Sequence, residues 1–155
     1  MEHLFTYIEP NNLNNMETQD FYANINYLAV LLAAVIYFAL GALWYSPALF
    51  GKMWMQAKNL TAENMNTGHM TRTFVITFIL NLVCVFITAT LISALGAKGA
   101  GDGANIGLRV AIGFVATTMG VNYLYDNKPA KLFWIDAGYH IVGILIAAII
   151  LAVWK

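Results

Sequence analysis

Along most of this chain the hydrophobic positions neither alternate nor follow a one-sided helical spacing; they run on unbroken. Four such runs, at about 25–45, 73–95, 106–125 and 132–154, reach the roughly 20 residues that a helix needs to cross about 30 Å of hydrocarbon. None holds an internal proline, and an unbroken helix satisfies its own backbone hydrogen bonds where water is absent. The pattern predicts four transmembrane helices. Between the second and third runs lies GAKGAGDGAN, expected as a flexible loop. YDNKPAK joins the third and fourth, where Pro129 keeps Lys128 out of helix.

The first run ends in Trp44-Tyr45-Ser46-Pro47. Proline disfavours helical backbone in the residue before it, so Ser46 should close the span. The same serine can N-cap a new helix with Pro47 at its first position. From there Leu49, Phe50, Met53, Trp54 and Ala57 share one helical face, with Lys52, Gln56 and Asn59 elsewhere. A short amphipathic helix over 47–59, lying in the interface with Lys52 and Lys58 reaching the headgroups, is therefore expected. The predicted fold class is an all-α membrane protein: four transmembrane helices and a short interfacial amphipathic helix after the first span.

Composition agrees. Hydrophobic residues make up 60% of the 155 residues and charged residues 10%, where a soluble domain carries roughly 25% charge. Eight basic residues balance eight acidic ones, so no basic stripe exists to neutralise nucleic-acid phosphates. The single cysteine, Cys84, excludes an intramolecular disulfide and any cysteine-built metal site. His3 and His69 fall outside the spans, and no metal or cofactor is expected. Residues 1–24 carry Glu2, Glu9, Glu17 and Asp20 without Lys or Arg. They lack the basic start and apolar core of a secretory signal, and read as a disordered tail, or as sequence upstream of a true start at Met16. Residues 25–155 form one four-helix domain.

Basic residues near span ends set orientation. Lys52, Lys58, Arg72, Lys128 and Lys131 lie on one side; Lys98, Arg109 and Lys155 lie on the other. The excess puts the WYSP end in the cytoplasm and both termini outside. Tyr22, Tyr27 and Trp154 would mark one interface, and Trp44, Tyr45, Trp54, Tyr123, Tyr125 and Trp134 the other, as amphipathic rings prefer.

GALWYSPALFGKMWMQ resembles the signature of a family of small bacterial integral-membrane proteins catalogued as a domain of unknown function. NYLYDNKPAKLFWIDAGYHIVGILIAAIILAVW resembles that family's short third loop and final span. The resemblance covers roughly residues 25–155. It implies a four-helix protein of the bacterial inner membrane and carries no substrate or reaction.

Ionisable groups within spans are costly and point to function. Asp136 and His140 stand four apart and share a helix face in the fourth span. With Asn81, Asn122 and Tyr139 they can line one intramembrane polar pocket, rimmed by Trp44, Tyr45, Ser46, Pro47, Lys52 and Trp54. The pair can hold helices together by a polar contact, or exchange a proton. Small residues on the third and fourth spans (Gly113, Ala116, Gly120, Gly143 and Ala147) allow close helix approach, within the bundle or between copies in a homo-oligomer. The reading preferred from the sequence is a scaffold or lipid- or partner-binding membrane protein without enzymatic activity. A proton-linked transporter or channel component using Asp136 and His140 is the alternative. An enzyme with those two residues as acid and base ranks last, because no nucleophile stands beside them. Cysteine labelling tests the orientation: Lys58→Cys should be shielded from an impermeant thiol reagent added outside, whereas Asn11→Cys should react.

Overall fold

The computed structural model describes residues 25–60 and 68–154. The acidic tail, the Met16 start, Tyr22 and Lys155 lie outside the described residues. Helix α1 spans Tyr27–Trp44, and a short α2 spans Gly51–Ala57. The second membrane-length helix, α3, spans Met70–Ala94. The third is continuous over Gly99–Tyr125 but changes character on the way. It consists of α4 (Gly99–Val110), a π-helical stretch (Ala111–Ala116) and α5 (Thr117–Tyr125). Helix α6 spans Ala130–Val153. All four long helices have the length and apolarity to cross a membrane.

Helix α6 is the hub. Half of its most apolar stretch is buried, against 28% for α1 and α3 and 17% for the third span. Its Ile144, Ala147, Ala148 and Leu151 meet Ala29, Ala33 and Ala34 of α1 and Val85, Ala89 and Ile92 of α3 in one core. The outward faces stay apolar: Phe74, Ile79, Leu80, Val83 and Ile87 of α3 are all exposed. In water such a surface would aggregate; in a bilayer lipid chains cover it.

Helix ends are locally encoded. Asn26 caps α1, its side-chain oxygen accepting from Leu28 N–H and Ala29 N–H at 3.0 Å each. Gly96 closes α3 with φ +62°, and Asn59 and Asn127 close α2 and α5 in the same left-handed region. Only glycine, and asparagine less freely, adopts that conformation at low cost.

Three sequence expectations are corrected. The expected helix over 47–59 is shorter: the chain first makes a compact turn, and α2 begins at Gly51. Ser46 does not cap α2; its hydroxyl donates back to Leu43 O at 2.7 Å and closes α1. The expected glycine loop is largely helix, starting seven residues before position 106. Lys98 N–H donates to Asp102 Oδ2 at 2.7 Å, tying down the first turn. The glycines are then used for packing. A Cβ on Gly103 would meet Ala148 O at 2.6 Å, and one on Gly107 would meet Ala148 Cβ at 2.7 Å. Gly143 is likewise spent inside the bundle, against the Tyr37 ring, and Ala147 is buried in the core. Gly113, by contrast, faces open space.

Glycine substitutions should separate these roles. Gly103→Ala must push α4 off α6 and should cost about 1–3 kcal/mol, the usual penalty of overpacking. Gly101→Ala, in the same helix but with nothing near its added Cβ, should be neutral or gain up to about 1 kcal/mol. Thermal melting in one detergent measures both.

Candidate functional site

In the second turn of α6 the Asp136 carboxylate gathers three donors from three separate segments. Its Oδ1 accepts from Tyr45 Oη at 2.8 Å and from Trp54 Nε1 at 3.0 Å. Its Oδ2 accepts from the Tyr123 hydroxyl. An indole N–H can only donate, and an ionised carboxylate only accepts. The group therefore ties α6 to the end of α1, to α2 and to α5 at once.

The turn after α1 makes this possible. Phe50 N–H donates to Trp44 O, and both Leu49 N–H and Gly51 N–H donate to Ser46 O. The chain thus reverses within a few residues and brings Trp54 back beside Tyr45, with ring centroids 5.6 Å apart. Gly51 is buried, and a Cβ there would run into the carbonyl oxygens of Tyr45 and Ser46. Trp44 braces the turn from inside: its Nε1 donates to Ile135 O at 3.0 Å, and its ring lies 4.7 Å from that of Phe50. Gly138 leaves room for the Trp44 ring, which a Cβ would meet at 3.1 Å.

A second polar group lies deeper, where Tyr37 Oη and His140 Nδ1 share a hydrogen bond of 2.6 Å. Buried Asn81 donates through Nδ2 to Tyr139 Oη at 3.0 Å. The Tyr139 ring connects the two groups, 5.2 Å from Tyr37, 4.8 Å from His140 and 5.5 Å from Tyr45.

Of the residues singled out from the sequence, Asn81, Asp136, Tyr139, His140, Trp44, Tyr45 and Trp54 come together here. Asp136 and His140 share a face as their spacing implies, yet each bonds to other residues: Asp136 to Tyr45, Trp54 and Tyr123, His140 to Tyr37. Asn122 is exposed and stays out of the cluster, as are Pro47 and Lys52. Ser46 acts through its backbone and its bond to Leu43. Trp44, Tyr45, Trp54 and Tyr123 aim their polar atoms at α6, whereas Tyr125 and Trp134, at 85% and 68% exposure, have the outward setting of interface aromatics. Tyr37 was missed by the sequence reading. A lone hydroxyl midway along an apolar span was its signal, because such a group seeks a partner when buried.

A family model described as a protein of unknown function (DUF1761) matches residues 28–152. The chain belongs to this family. No curated protein and no solved structure matches it. The matched range holds every member of both polar groups, so the DUF1761 domain and the hydrogen-bonded unit coincide. It is an integral membrane protein whose biochemical activity the family does not define.

Beside the Asp136 node, a cleft of about 430 Å³ opens between α5 and α6, lined by Gly120, Tyr123, Leu124, Asn127, Lys128 and Phe133. Its walls are mostly apolar, and Lys128 holds Asp126 at 2.7 Å while lying 4.9 Å from the Tyr123 ring. Among the described residues, no three His, Cys, Asp or Glu side chains converge as a metal site would require.

Removing the carboxylate from this DUF1761 protein should free α2. Asp136→Leu leaves two phenols and an indole without their acceptor; hydrogen bonds to a charged group are worth about 1.5–3 kcal/mol each. Hydrogen–deuterium exchange should rise over residues 51–57 while α3 stays protected. Unchanged protection of α2 would refute the role assigned to Asp136.

Proposed function

We propose that this protein is a small membrane scaffold that binds phospholipid at its WYSP end. The observation that carries this reading is the triple engagement of Asp136, which turns the one acidic side chain within α6 into a fixed staple. What the staple holds outward is a lipid-facing surface. Lys52 and Lys58 of the α2 segment are exposed, with Lys58 Nζ over the Trp54 ring at 4.2 Å. The neighbouring cleft offers Leu124 and Phe133 to an acyl chain, with Lys128 and Asn127 near its mouth for a phosphate. Basic side chains on apolar stems at a headgroup boundary suit anionic lipid.

Orientation fits the same reading. Arg109 lies within the third helix rather than in a loop. That weakens the basic count on the side of the termini and favours a cytoplasmic WYSP end in the bacterial inner membrane.

A proton-linked role has one specific observation in its favour, the 2.6 Å Tyr37–His140 hydrogen bond one helical turn from Asp136. The two readings separate in reconstitution. As a scaffold, the purified protein should carry anionic phospholipid by native mass spectrometry. Lys128→Ala combined with Lys58→Ala should lower that occupancy several-fold, and proton uptake by proteoliposomes should not change in Asp136→Asn or His140→Ala. Lipid-free protein with proton uptake lost in those variants would replace the scaffold by the transporter.

A further inference from the structure

The deeper polar group leaves one donor unspent. Tyr37 is 2% exposed, and among the described residues its hydroxyl has no hydrogen-bond partner other than His140 Nδ1. A hydroxyl so fully buried donates to the one acceptor it has, so Nδ1 accepts from Tyr37. With Nδ1 accepting, the imidazole carries its own hydrogen on Nε2. Among the described residues nothing accepts from that N–H. No fully enclosed side-chain nitrogen or oxygen lacks a partner among them either. Nε2 therefore reaches the surface of the bundle, in keeping with the half-buried state of His140.

The open N–H lies within hydrocarbon. Trp134 and Trp154, both exposed, stand about 30 Å apart along the fourth span at 1.5 Å per residue, the thickness of a bilayer core. On that scale His140 is about 9 Å inside the WYSP face. Phospholipid ester and phosphate oxygens lie at the edge of the core, beyond the roughly 3 Å reach of a hydrogen bond. The same half of the bundle is loosely walled. No residue of α3 from Met70 to Leu80 is buried, and none of the third helix beyond Ala111. Midway between its contacts with α6 at Gly107 and Gly120, the third helix passes the level of His140 at Gly113. That residue has no side chain to close over the imidazole, and nothing lies within 4 Å of an added Cβ. An apolar molecule can therefore approach Nε2 sideways from the lipid.

We infer that His140 Nε2–H holds a carbonyl oxygen of a lipid-soluble quinone, taken up laterally from the membrane into the WYSP half of the bundle. The site offers a donor among apolar and aromatic neighbours, so it suits a ligand that has acceptors and no donor. A quinone has that character and dissolves where the site lies. An alcohol would bring an O–H of its own into hydrocarbon, where nothing pairs with it. Tyr37 is a positioning residue here, since its hydroxyl sets the tautomer and holds the ring. The inference does not rest on phospholipid binding at the WYSP end, because His140 is not among the residues lining that cleft.

Binding in phosphatidylcholine nanodiscs tests it, with a decyl-tailed benzoquinone as the probe. The wild-type protein should bind it saturably, and infrared difference spectra should show a quinone C=O band shifted down by hydrogen bonding. His140→Leu should weaken binding by roughly fivefold or more, the worth of one hydrogen bond, and remove the shifted band. His140→Phe repeats the test with an aromatic ring kept in place. His140→Gln retains an N–H donor and should restore part of both signals, and Tyr37→Phe, which releases the tautomer, should weaken binding less than His140→Leu. Thermal melting confirms that each variant is folded. No saturable binding by the wild type, or an unshifted C=O band, would overturn the proposal. So would wild-type affinity in a folded His140→Leu or His140→Phe. Native mass spectrometry in which His140→Leu loses a bound phospholipid, and no quinone, would assign the donor to a lipid ester and overturn it as well.

Discussion

A carboxylate placed within a low-dielectric bundle must be satisfied or it destabilises the fold, and Asp136 sets the geometry around it for that reason. Its three donors come from segments far apart in sequence, with Tyr45 and Trp54 lying 91 and 82 residues away. None of the three could arrive without a particular chain path. Tyr45 requires α1 to end where it does, Trp54 requires the reversal at WYSP, and Tyr123 requires α5 to run alongside α6. The carboxylate thus explains why Tyr45, Trp54 and Tyr123 turn inward, and why the chain makes a tight turn rather than a longer surface helix.

Away from Asp136 the bundle is held by shape. Polar contacts within membranes contribute modestly, and lipid supplies no hydrophobic drive between helices, so close approach matters more. Gly103 and Gly107 bring α4 against α6, and Gly143 admits the Tyr37 ring. That last contact joins the two modes, since the ring seated on Gly143 carries the hydroxyl bonded to His140. Close packing on α6 therefore positions a polar group at depth, and the polar group fixes the rotation of α1.

The spans were legible because hydrocarbon thickness constrains length and composition together. Each predicted run falls on an observed long helix, from Tyr27–Trp44 to Ala130–Val153, with ends that agree within three residues except at the start of the third. Asp136 and His140 stood out because charge is rare in such runs. What they bind was not legible, because spacing along one helix says nothing about which neighbour arrives opposite. The start of the third helix was misread for a different reason. Glycine usually signals a loop by its entropy cost, but four-residue spacing of Gly103 and Gly107 places them on one packing face. The stripe expected at Gly113, Ala116 and Gly120 assumed regular α-helix throughout. From buried Ala111 to Gly120, which faces Phe133, takes nine residues, where two regular turns take about seven. The intervening π-helical stretch absorbs the excess.

The irregular third helix consequently does two things that a uniform one would not. Its glycine-rich start must lie deep against α6 to bury Gly103 and Gly107, and that register carries Arg109 to mid-depth. Its far end must still present Tyr123 to Asp136, and the wide turn re-phases the helix so that it does. The inner contacts of this helix are fixed at both ends, so the position of Arg109 along the bundle is a consequence of packing inside it.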